Sequence, residues 1–359
     1  MDLDLKFLHD GLPKRKLESK YKEKSYPEPT LPAVTNFTSS FLGMLSRLNI
    51  ASFAFISQQY DYVVQGNSVL PPLQGRGRIN ADASAFRPVL SSQKAVMLSQ
   101  GMYPTYSDID TYHMAAASLD TAIRNAIAAG ADPDYIAILD NFCWCSPLES
   151  HRLGQLKRAT QACYDYAVAY ETPFISGKDS MYNDFKGFDK HGKPVKISVP
   201  PTLLISSIGV VNDMNKVISL DAKHAGDIVY ILGETFDELG GSEYFVSLNA
   251  IGNTVPKVNA KKNNKLYHAL YNAIQQNLVA SGQSVNRGGL AVAVAKTAMG
   301  GMLGMHIDLS KLPGIVSRDD FALYSESQGR ILVTVAKENV KEFEKQMTGN
   351  SFAKIGEVT

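Results

Sequence analysis

Residues 108–141 read DIDTYHMAAASLDTAIRNAIAAGADPDYIAILDN, and they predict a helix that leads directly into a buried strand. Acidic residues at the entry, an alanine-rich body and Gly130 as a stop signal are typical of a helix. The apolar run DYIAILDN, residues 134–141, is typical of a buried strand. A helix that alternates with short apolar strands indicates an α/β or α+β domain.

The same alternation continues on both sides of this stretch. Before it, AFRPVL (85–90) and KAVMLSQG (94–101) have the apolar, β-forming composition of short strands. After it, we expect a second long helix over 148–171, a short strand FIS (174–176) and a long strand PPTLLISSIGVV (200–211). These elements predict one domain that closes near residue 215.

A second unit begins at AGDIVYILG, residues 225–233, which is a predicted strand. We expect a helix near 264–280 and a glycine-punctuated helix over 287–301. The strands GRILVTVA (329–336) and AKIGEV (353–358) flank a charged helix. This unit therefore also alternates between strands and helices.

The chain divides into an arm and two domains. Residues 1–40 include PKRKLESKYKEKSYPEPTLP, whose alternating charges and prolines predict a linker or an arm laid over a surface. We expect the domains at 41–215 and 216–359, since 359 residues exceed the usual size of a single core.

Composition narrows the class of function. The net charge of +1 gives no argument for a nucleic-acid partner, and the longest apolar run is too short to span a membrane. Three cysteines, Cys143, Cys145 and Cys163, indicate a reducing compartment rather than a disulfide framework. Cys143 and Cys145 could bind a metal, but buried apolar side chains at a strand end are favoured. We expect a cytoplasmic protein that handles small molecules.

The segment PFISGKDSMYND, residues 173–184, carries the first candidate site. A glycine at a strand end lets a ligand approach the backbone, so Gly177 is a candidate contact. Lys178 offers a cation for phosphate, Asp179 a carboxylate for a divalent cation, and Ser180 a hydroxyl. A plain solvent-facing turn is an equally good interpretation, and the spacing is not that of a P-loop.

Asp140 and Asn141 form the second candidate site. They lie where a predicted buried strand ends, which is where ligands bind in open α/β sheets. Capping of the helix near Leu148 is the alternative role for Asp140, although the spacing is long.

Two glycine-containing segments are weaker candidates. GRGRINADASAFRP could wrap an anion with its arginines and offer Asp82 to a cation, whereas LGETFDELGGSEY is as well explained by a tight turn. The arginines are Arg76, Arg78 and Arg87. No His pair has the spacing of a zinc hydrolase.

Seven motifs in order resemble one family: FLHDG, QQYDYVVQG, the stretch from Tyr106 to Trp144, ETPFISGKDSMYND, PPTLLISSIGVV, LGETFDELGGSEY and SESQGR. Together they resemble the C-terminal half of the synthetase component of phosphoribosylformylglycinamidine synthase. That family duplicates a unit similar to aminoimidazole ribonucleotide synthetase. The resemblance implies a barrel-forming domain followed by an α/β domain, and it implies that the N-terminal arm follows a first half that lies outside this sequence.

The resemblance also implies a reaction. The family uses ATP and magnesium to activate formylglycinamide ribonucleotide, and ammonia from glutamine then displaces phosphate to give the amidine. By motif position, Asp140 and Gly177 match ATP contacts, Lys178 matches a position that commonly ligates magnesium as asparagine, and Ser180 matches a substrate contact. The catalytic histidine belongs to the other half, so this half is expected to carry no catalytic residue of its own.

Two departures from the family pattern affect these expectations. A lysine at 178 cannot ligate a cation, so we expect Lys178 to contact phosphate and Asp179 to take the metal. Gln283 and Ser284 stand where related units have His-Asp, so a second nucleotide site in this half is expected to be degraded or structural.

The resemblance implies partners as well. They are the N-terminal half of the synthetase, a glutaminase subunit and a small bridging subunit. The isolated chain is expected to form a homodimer that covers an exposed sheet edge. The alternative to a ligase half is a non-catalytic assembly module that holds at most a structural nucleotide.

Overall fold

The computed structural model describes residues 2–11, 16–31, 33–59 and 63–359. The strands of the first sheet and the hairpins near it are β1 Ser68–Leu70, β2 Leu73–Gln74, β3 Ile79–Asn80, β4 Ala83–Phe86, β5 Ala95–Met102, β6 Ile136–Cys143, β7 Phe174–Ser180, β8 Asp184–Phe188, β9 Pro194–Ser198 and β10 Thr202–Val211. The later strands are β11 Ile228–Leu232, β12 Thr235–Phe236, β13 Ser281–Ser284, β14 Met305–Ile307, β15 Gly314–Ile315, β16 Ile331–Val335 and β17 Phe352–Val358.

The helices are α1 Leu5–Asp10, α2 Thr38–Leu45, α3 Ala54–Ser57, α4 Thr111–Ala128, α5 Ser150–Tyr170, α6 Glu243–Ser247, α7 Ala260–Gln275, α8 Gly289–Gly301, α9 Asp319–Tyr324 and α10 Val340–Gln346. Among the described residues, no helix has the length and apolar composition needed to cross a membrane.

The first sheet has six strands in the order β1-β4-β5-β10-β6-β7. β10 is antiparallel to both β5 and β6, whereas β6 and β7 are parallel. The parallel pair is connected by α5, as a crossover between parallel strands requires. The predicted helix at 108–130 and strand at 134–141 are confirmed as α4 and β6.

One face of this sheet is covered by helices and the other is open. α4 packs on β5 and β10, and nearly all its residues are buried in the main core. On the opposite face, Leu98, Met102 and Ile208 remain exposed. The open face of this sheet is therefore partly apolar.

The second sheet has five strands in the order β13-β16-β11-β17-β14, all paired antiparallel. The two central strands β11 and β16 are fully buried, which explains their uninterrupted apolar sequences. The observed helix α7 is offset from the predicted 264–280. Asn259 caps its N-terminus, and Asn277 adopts a left-handed φ of 58° that ends the helical path.

The described part of the arm, residues 16–31, lies over the surface of the protein. The Tyr26 hydroxyl donates to the Asp108 carbonyl at 3.0 Å, and the Tyr26 N–H donates to Asn253 Oδ1 at 2.8 Å. The Arg158 guanidinium stacks on the Tyr21 ring, 4.3 Å from its centroid. Residues 16–31 therefore contact both sheet-bearing units. Six residues of the predicted arm, 1, 12–15 and 32, lie outside the described residues, and the exact domain limits 1–40, 41–215 and 216–359 stay predictions.

Candidate functional site

The parallel strands β6 and β7 bring the two candidate sites together. Their register pairs Asp140 with Gly177, Asn141 with Lys178 and Cys143 with Ser180. The residues predicted to form a site from two separate motifs are therefore neighbours in one sheet. Helix α5 begins after Glu149, whose side chain makes no capping bond, so capping does not account for Asp140.

The expectation that Gly177 follows a short buried strand is wrong. β7 continues through the motif to Ser180, and Ile175, Ser176, Gly177, Lys178 and Asp179 are exposed. β7 is the edge of the sheet, with β6 on one side and no strand on the other among the described residues. Because neither face is deeply buried, the strand lacks the apolar pattern from which its length could have been predicted.

Side-chain alternation divides the predicted residues between the two faces of the sheet. Asp140 shares a face with the buried Ile138 and Phe142, which is the face packed against helices. Its strand partner Gly177, and Asp179 two residues further on, lie on that same face. Lys178 and Ser180 project from the opposite, open face. A ligand that touches both groups must therefore reach around the β7 edge.

The Asp140 carboxylate lies directly over Gly177. A Cβ atom at position 177 would lie 2.4 Å from Asp140 Oδ1, so glycine allows the carboxylate to lie here and a larger residue would force it to move. Burial raises the pKa of Asp140, and the nearby Asp179 carboxylate raises it further. Backbone N–H groups of Asp140 and Lys178 act in the opposite direction. Asp140 is thus a partly desolvated acceptor at the edge of the sheet.

The residues at this edge fit one side of a magnesium site. The Asp179 carboxylate lies close enough to raise the pKa of Asp140, and magnesium is usually held by one or two carboxylates together with phosphate oxygens. The described part of the chain contains no group of three or more His, Cys, Asp or Glu side chains that could hold a metal ion.

The Gly/Arg segment packs against the end of α8. A Cβ at Gly75 or Gly77 would overlap the backbone of Gly300 or Met299 at the end of α8. Arg87 donates to the Leu90 carbonyl at 2.9 Å. The glycines of this segment are explained by the close approach of α8.

Asp82 is engaged by neighbouring side chains. Gln283 Nε2 and Asn286 Nδ2 donate to Asp82 Oδ2 at 2.6 and 3.0 Å, and the Lys296 ammonium lies 3.5 Å from Oδ1. Ser284 accepts from Arg124 at 3.3 Å. The expectation that Asp82 is available to a cation is therefore not supported. Gln283 and Ser284 take part in a network of side chains, and the degraded second nucleotide site stays a prediction.

A fully buried charge cluster between the two sheets was missed by the sequence analysis. Asp120 forms an ion pair with Arg124 one helical turn later, and neither side chain is exposed to solvent. Asp120 Oδ1 also accepts from Tyr170, Tyr267 and Asn263 at 2.5, 2.7 and 2.9 Å. The one available signal was an acid and a base spaced i, i+4 inside an otherwise alanine-rich helix.

The SESQGR motif is buried in the same region. Glu326 Oε1 accepts the backbone N–H groups of Glu243 and Gly288, both at 2.9 Å, while Oε2 accepts from the Tyr106 hydroxyl at 2.5 Å. Gln328 Oε1 accepts from Thr121 at 3.0 Å and from Arg124 at 3.2 Å. These residues tie the second unit to α4 and to the segment before it.

Two family models match the chain, one for each sheet-bearing unit. The AIR synthase related protein, N-terminal domain, matches residues 80–211, and the AIR synthase related protein, C-terminal domain, matches residues 224–359. The chain belongs to the AIR synthase related family. The predicted fold class, a mixed α/β chain with an N-terminal and a C-terminal domain of this kind, is confirmed.

The curated relatives belong to the phosphoribosylformylglycinamidine synthase family, which the sequence motifs already resembled. Phosphoribosylformylglycinamidine synthase subunit PurL of Methanocaldococcus jannaschii is 33% identical over 343 residues, which cover 94% of this chain and 45% of that protein. The subunit of the same name from Alkaliphilus metalliredigens is 30% identical, covering 90% of this chain and 40% of that protein. The resemblance to this family is confirmed, and the chain spans less than half the length of these relatives.

Solved structures show the same fold at low sequence identity. T. maritima PurL complexed with ATP aligns with a TM-score of 0.61 at 18% identity, over 89% of this chain and 47% of that chain. T. maritima PurL complexed with FGAR has the same TM-score and identity, over 90% and 52%. A HypE–HypF complex aligns with a TM-score of 0.57 at 16% identity, over 78% and 87%. The family fold thus also occurs outside PurL.

Proposed function

We propose that the chain supplies the C-terminal half of an ATP-dependent ligase, phosphoribosylformylglycinamidine synthase. The reaction converts formylglycinamide ribonucleotide, ATP and glutamine-derived ammonia to formylglycinamidine ribonucleotide in purine biosynthesis. Two lines support this proposal: the relatives bearing that name, and solved PurL proteins complexed with ATP and with FGAR. The relatives favour a ligase half over a non-catalytic assembly module.

The observation that carries the proposal is the Asp140 carboxylate seated over Gly177 on adjacent parallel strands. A glycine and a partly desolvated carboxylate at a strand edge can contact the sugar or base of a nucleotide without steric conflict. In this proposal Asp140 and Gly177 contact ATP, Lys178 neutralises phosphate charge, and Ser180 contacts the ribonucleotide substrate.

Magnesium would join the two sides of this site. When bound, it supplies positive charge that offsets the charge developing on the transferred phosphoryl group. Asp179 is the residue of this chain assigned to hold it. Lys178, on the other face of β7, acts as a point charge on phosphate and not as a ligand.

The open face of the first sheet is the proposed contact with the other half of the synthetase. The apolar side chains exposed there, and the exposed Phe185 and Phe188 on the β8–β9 hairpin, would be covered by a matching unit. In isolation the same surface would support a homodimer. A glutaminase and a small bridging subunit complete the proposed complex, and a PurLQS structure is known from Thermotoga maritima.

Reconstituted amidine synthesis tests this function. The chain is combined with a polypeptide that supplies the other half, and product formation is measured with ATP, magnesium, formylglycinamide ribonucleotide and ammonium. We expect activity in the combination and none from the chain alone. Asp140→Ala and Lys178→Ala should each lower kcat/KM by at least tenfold while leaving assembly intact.

Two matched substitutions serve as controls. Asp319→Ala and Lys354→Ala remove the same charges at exposed positions of the second unit, and both should retain wild-type activity. Full activity of Asp140→Ala in an assembled complex would contradict the proposed role of this strand edge, and would favour the assembly-module alternative.

A further inference from the structure

Helix α1 exposes its apolar side chains to solvent. It has only six residues, Leu5–Asp10, and none of them is buried. An isolated helix of this length is marginal in water, because the stability of a helix in a protein comes mainly from packing of its apolar face. We therefore expect α1 to pack on another surface. The apolar side chains that this surface would cover are 44–70% exposed, and they are Leu3, Leu5, Phe7 and Leu8.

The β8–β9 hairpin has an exposed apolar face. Phe185 pairs with Ile197 and Gly187 pairs with Val195, so these four residues share one face of the hairpin. Phe185 and Ile197 are 59% and 61% exposed. A Cβ at Gly187 would lie 2.6 Å from the Phe185 ring, so the ring lies over the glycine. A two-stranded hairpin is marginal by itself, and a layer over this face would stabilise it.

The arm that follows α1 is fixed next to this hairpin. The Lys20 N–H donates to the Ser150 carbonyl at 2.9 Å, at the first residue of α5. A Cβ at Gly154 would overlap the Lys20 carbonyl, so the arm lies directly on the first turn of α5. Glu149, next to Ser150, forms an ion pair with Lys196 of β9. The arm therefore holds α1 beside the hairpin.

The connection between α1 and this fixed point is long enough to reach the hairpin. Lys20 is ten residues after Asp10. An extended chain of that length spans at most about 35 Å, whereas the five residues of β8 span about 17 Å. Any part of the hairpin face is therefore within reach of α1.

The two segments carry opposite charge. Residues 2–10 have a net charge of −2, from Asp2, Asp4, Asp10 and Lys6. Residues 184–198 have a net charge of +2, from Lys186, Lys190, Lys193, Lys196, Asp184 and Asp189. Complementary charge favours encounter of two surfaces and helps to orient them.

We propose that α1 folds back as a strap over the β8–β9 hairpin of its own chain. Leu5 and Leu8 are three residues apart and project from the same side of the helix, so they can pack together on Phe185 and Ile197. The strap does not depend on the ligase assignment. Where the other half of the synthetase covers Phe185, it would have to displace α1, so the strap protects this apolar surface until that contact forms.

Hydrogen exchange of the whole chain, followed by mass spectrometry, tests the strap. The amides of Leu8 and Gly11 donate within α1, and a free helix of six residues would give them almost no protection. We expect them to exchange at least about tenfold more slowly than in an unfolded peptide. Leu8→Asp should remove this protection and accelerate exchange in residues 184–198, and Phe185→Ser should likewise remove the protection of α1.

Leu48→Asp is the matched control, because Leu48 is 96% exposed and belongs to neither segment. It should leave exchange in both segments unchanged. The protection should also persist on dilution, since the contact is within one chain. Protection that disappears on dilution would overturn the proposal in favour of a second copy as the occupant. Absence of protection in α1, or equal effects of Leu8→Asp and Leu48→Asp, would overturn it outright.

Discussion

At the scale of single residues, the contact between Asp140 and Gly177 determines whether the β7 edge can act as a site. Gly177→Ala places a methyl group where the carboxylate lies, so either the strands separate or the carboxylate moves. We expect a loss of about 1–3 kcal/mol in the free energy of unfolding, as for overpacked sites. Urea unfolding with circular dichroism measures it.

Gly43→Ala is the control for this substitution. Gly43 lies inside α2, and a Cβ there meets no atom within 4 Å. Alanine should therefore be neutral or stabilise the protein by up to about 1 kcal/mol, because it is the better helix former. A Gly177→Ala protein as stable as Gly43→Ala would show that the carboxylate does not occupy this position.

The raised pKa of Asp140 predicts how stability depends on pH. A carboxyl whose pKa is higher in the folded than in the unfolded state disfavours folding above its folded pKa and has no effect below its unfolded value. Asp140→Asn should therefore raise the unfolding free energy at pH 7, and the gain should be almost lost at pH 3, below the unfolded pKa of about 3.9. Urea titrations at the two pH values test this, and a destabilised Asp140→Asn protein at pH 7 would contradict the cause assigned to the shift.

At the scale of elements, the buried pair Asp120–Arg124 lies within α4, and its hydrogen bonds with Tyr267 and Ser284 connect this helix to the second unit. Arg124→Met removes the cation and leaves a buried carboxylate, which costs about 3–5 kcal/mol when one partner of a buried pair is lost. The exposed pair Glu342–Lys345 on α10 provides the comparison. Lys345→Met should cost no more than about 1 kcal/mol, because exposed pairs contribute little. If Arg124→Met and Lys345→Met lost similar amounts of unfolding free energy, an unpaired buried Asp120 carboxylate would cost no more than an exposed one, which would contradict this prediction.

The elements with strong periodicity were predictable, and those at edges were not. α4, α5, β6 and β10 follow from an alanine-rich helix, a long amphipathic stretch and two apolar runs. β7 was predicted to stop at Ser176 because its last four residues are polar, and an exposed edge strand has no buried face to require apolar residues. The predicted position of helix α7, 264–280, was too far along the chain. The helix begins after the Asn259 cap, and the prediction rested on apolar residues instead.

The positions of the candidate site residues were predictable from the sequence, but their contacts with distant parts of the chain were not. The pairing of Asp140 with Gly177 could not be obtained from either motif alone, because the register of parallel strands is set by the whole crossover. The engagement of Asp82 by Gln283 and Asn286 depends on contacts across 200 residues, which spacing along the chain does not encode.

At the scale of the whole molecule, one sheet face is covered and the other is open. We expect a partner surface to cover the apolar face and the unpaired edge of this unit. This architecture agrees with a chain that spans less than half the length of its relatives. The proposed nucleotide site lies at the same edge, so site and interface are expected to be completed together.

Calorimetric titration of ATP with magnesium, into the chain alone and into its complex with the other half, tests the central claim most directly. The account predicts little binding to the chain alone, micromolar binding to the complex, and loss of that binding with Asp140→Ala. Equal affinity for the chain alone and for the complex, or unchanged affinity in the Asp140→Ala complex, would contradict it.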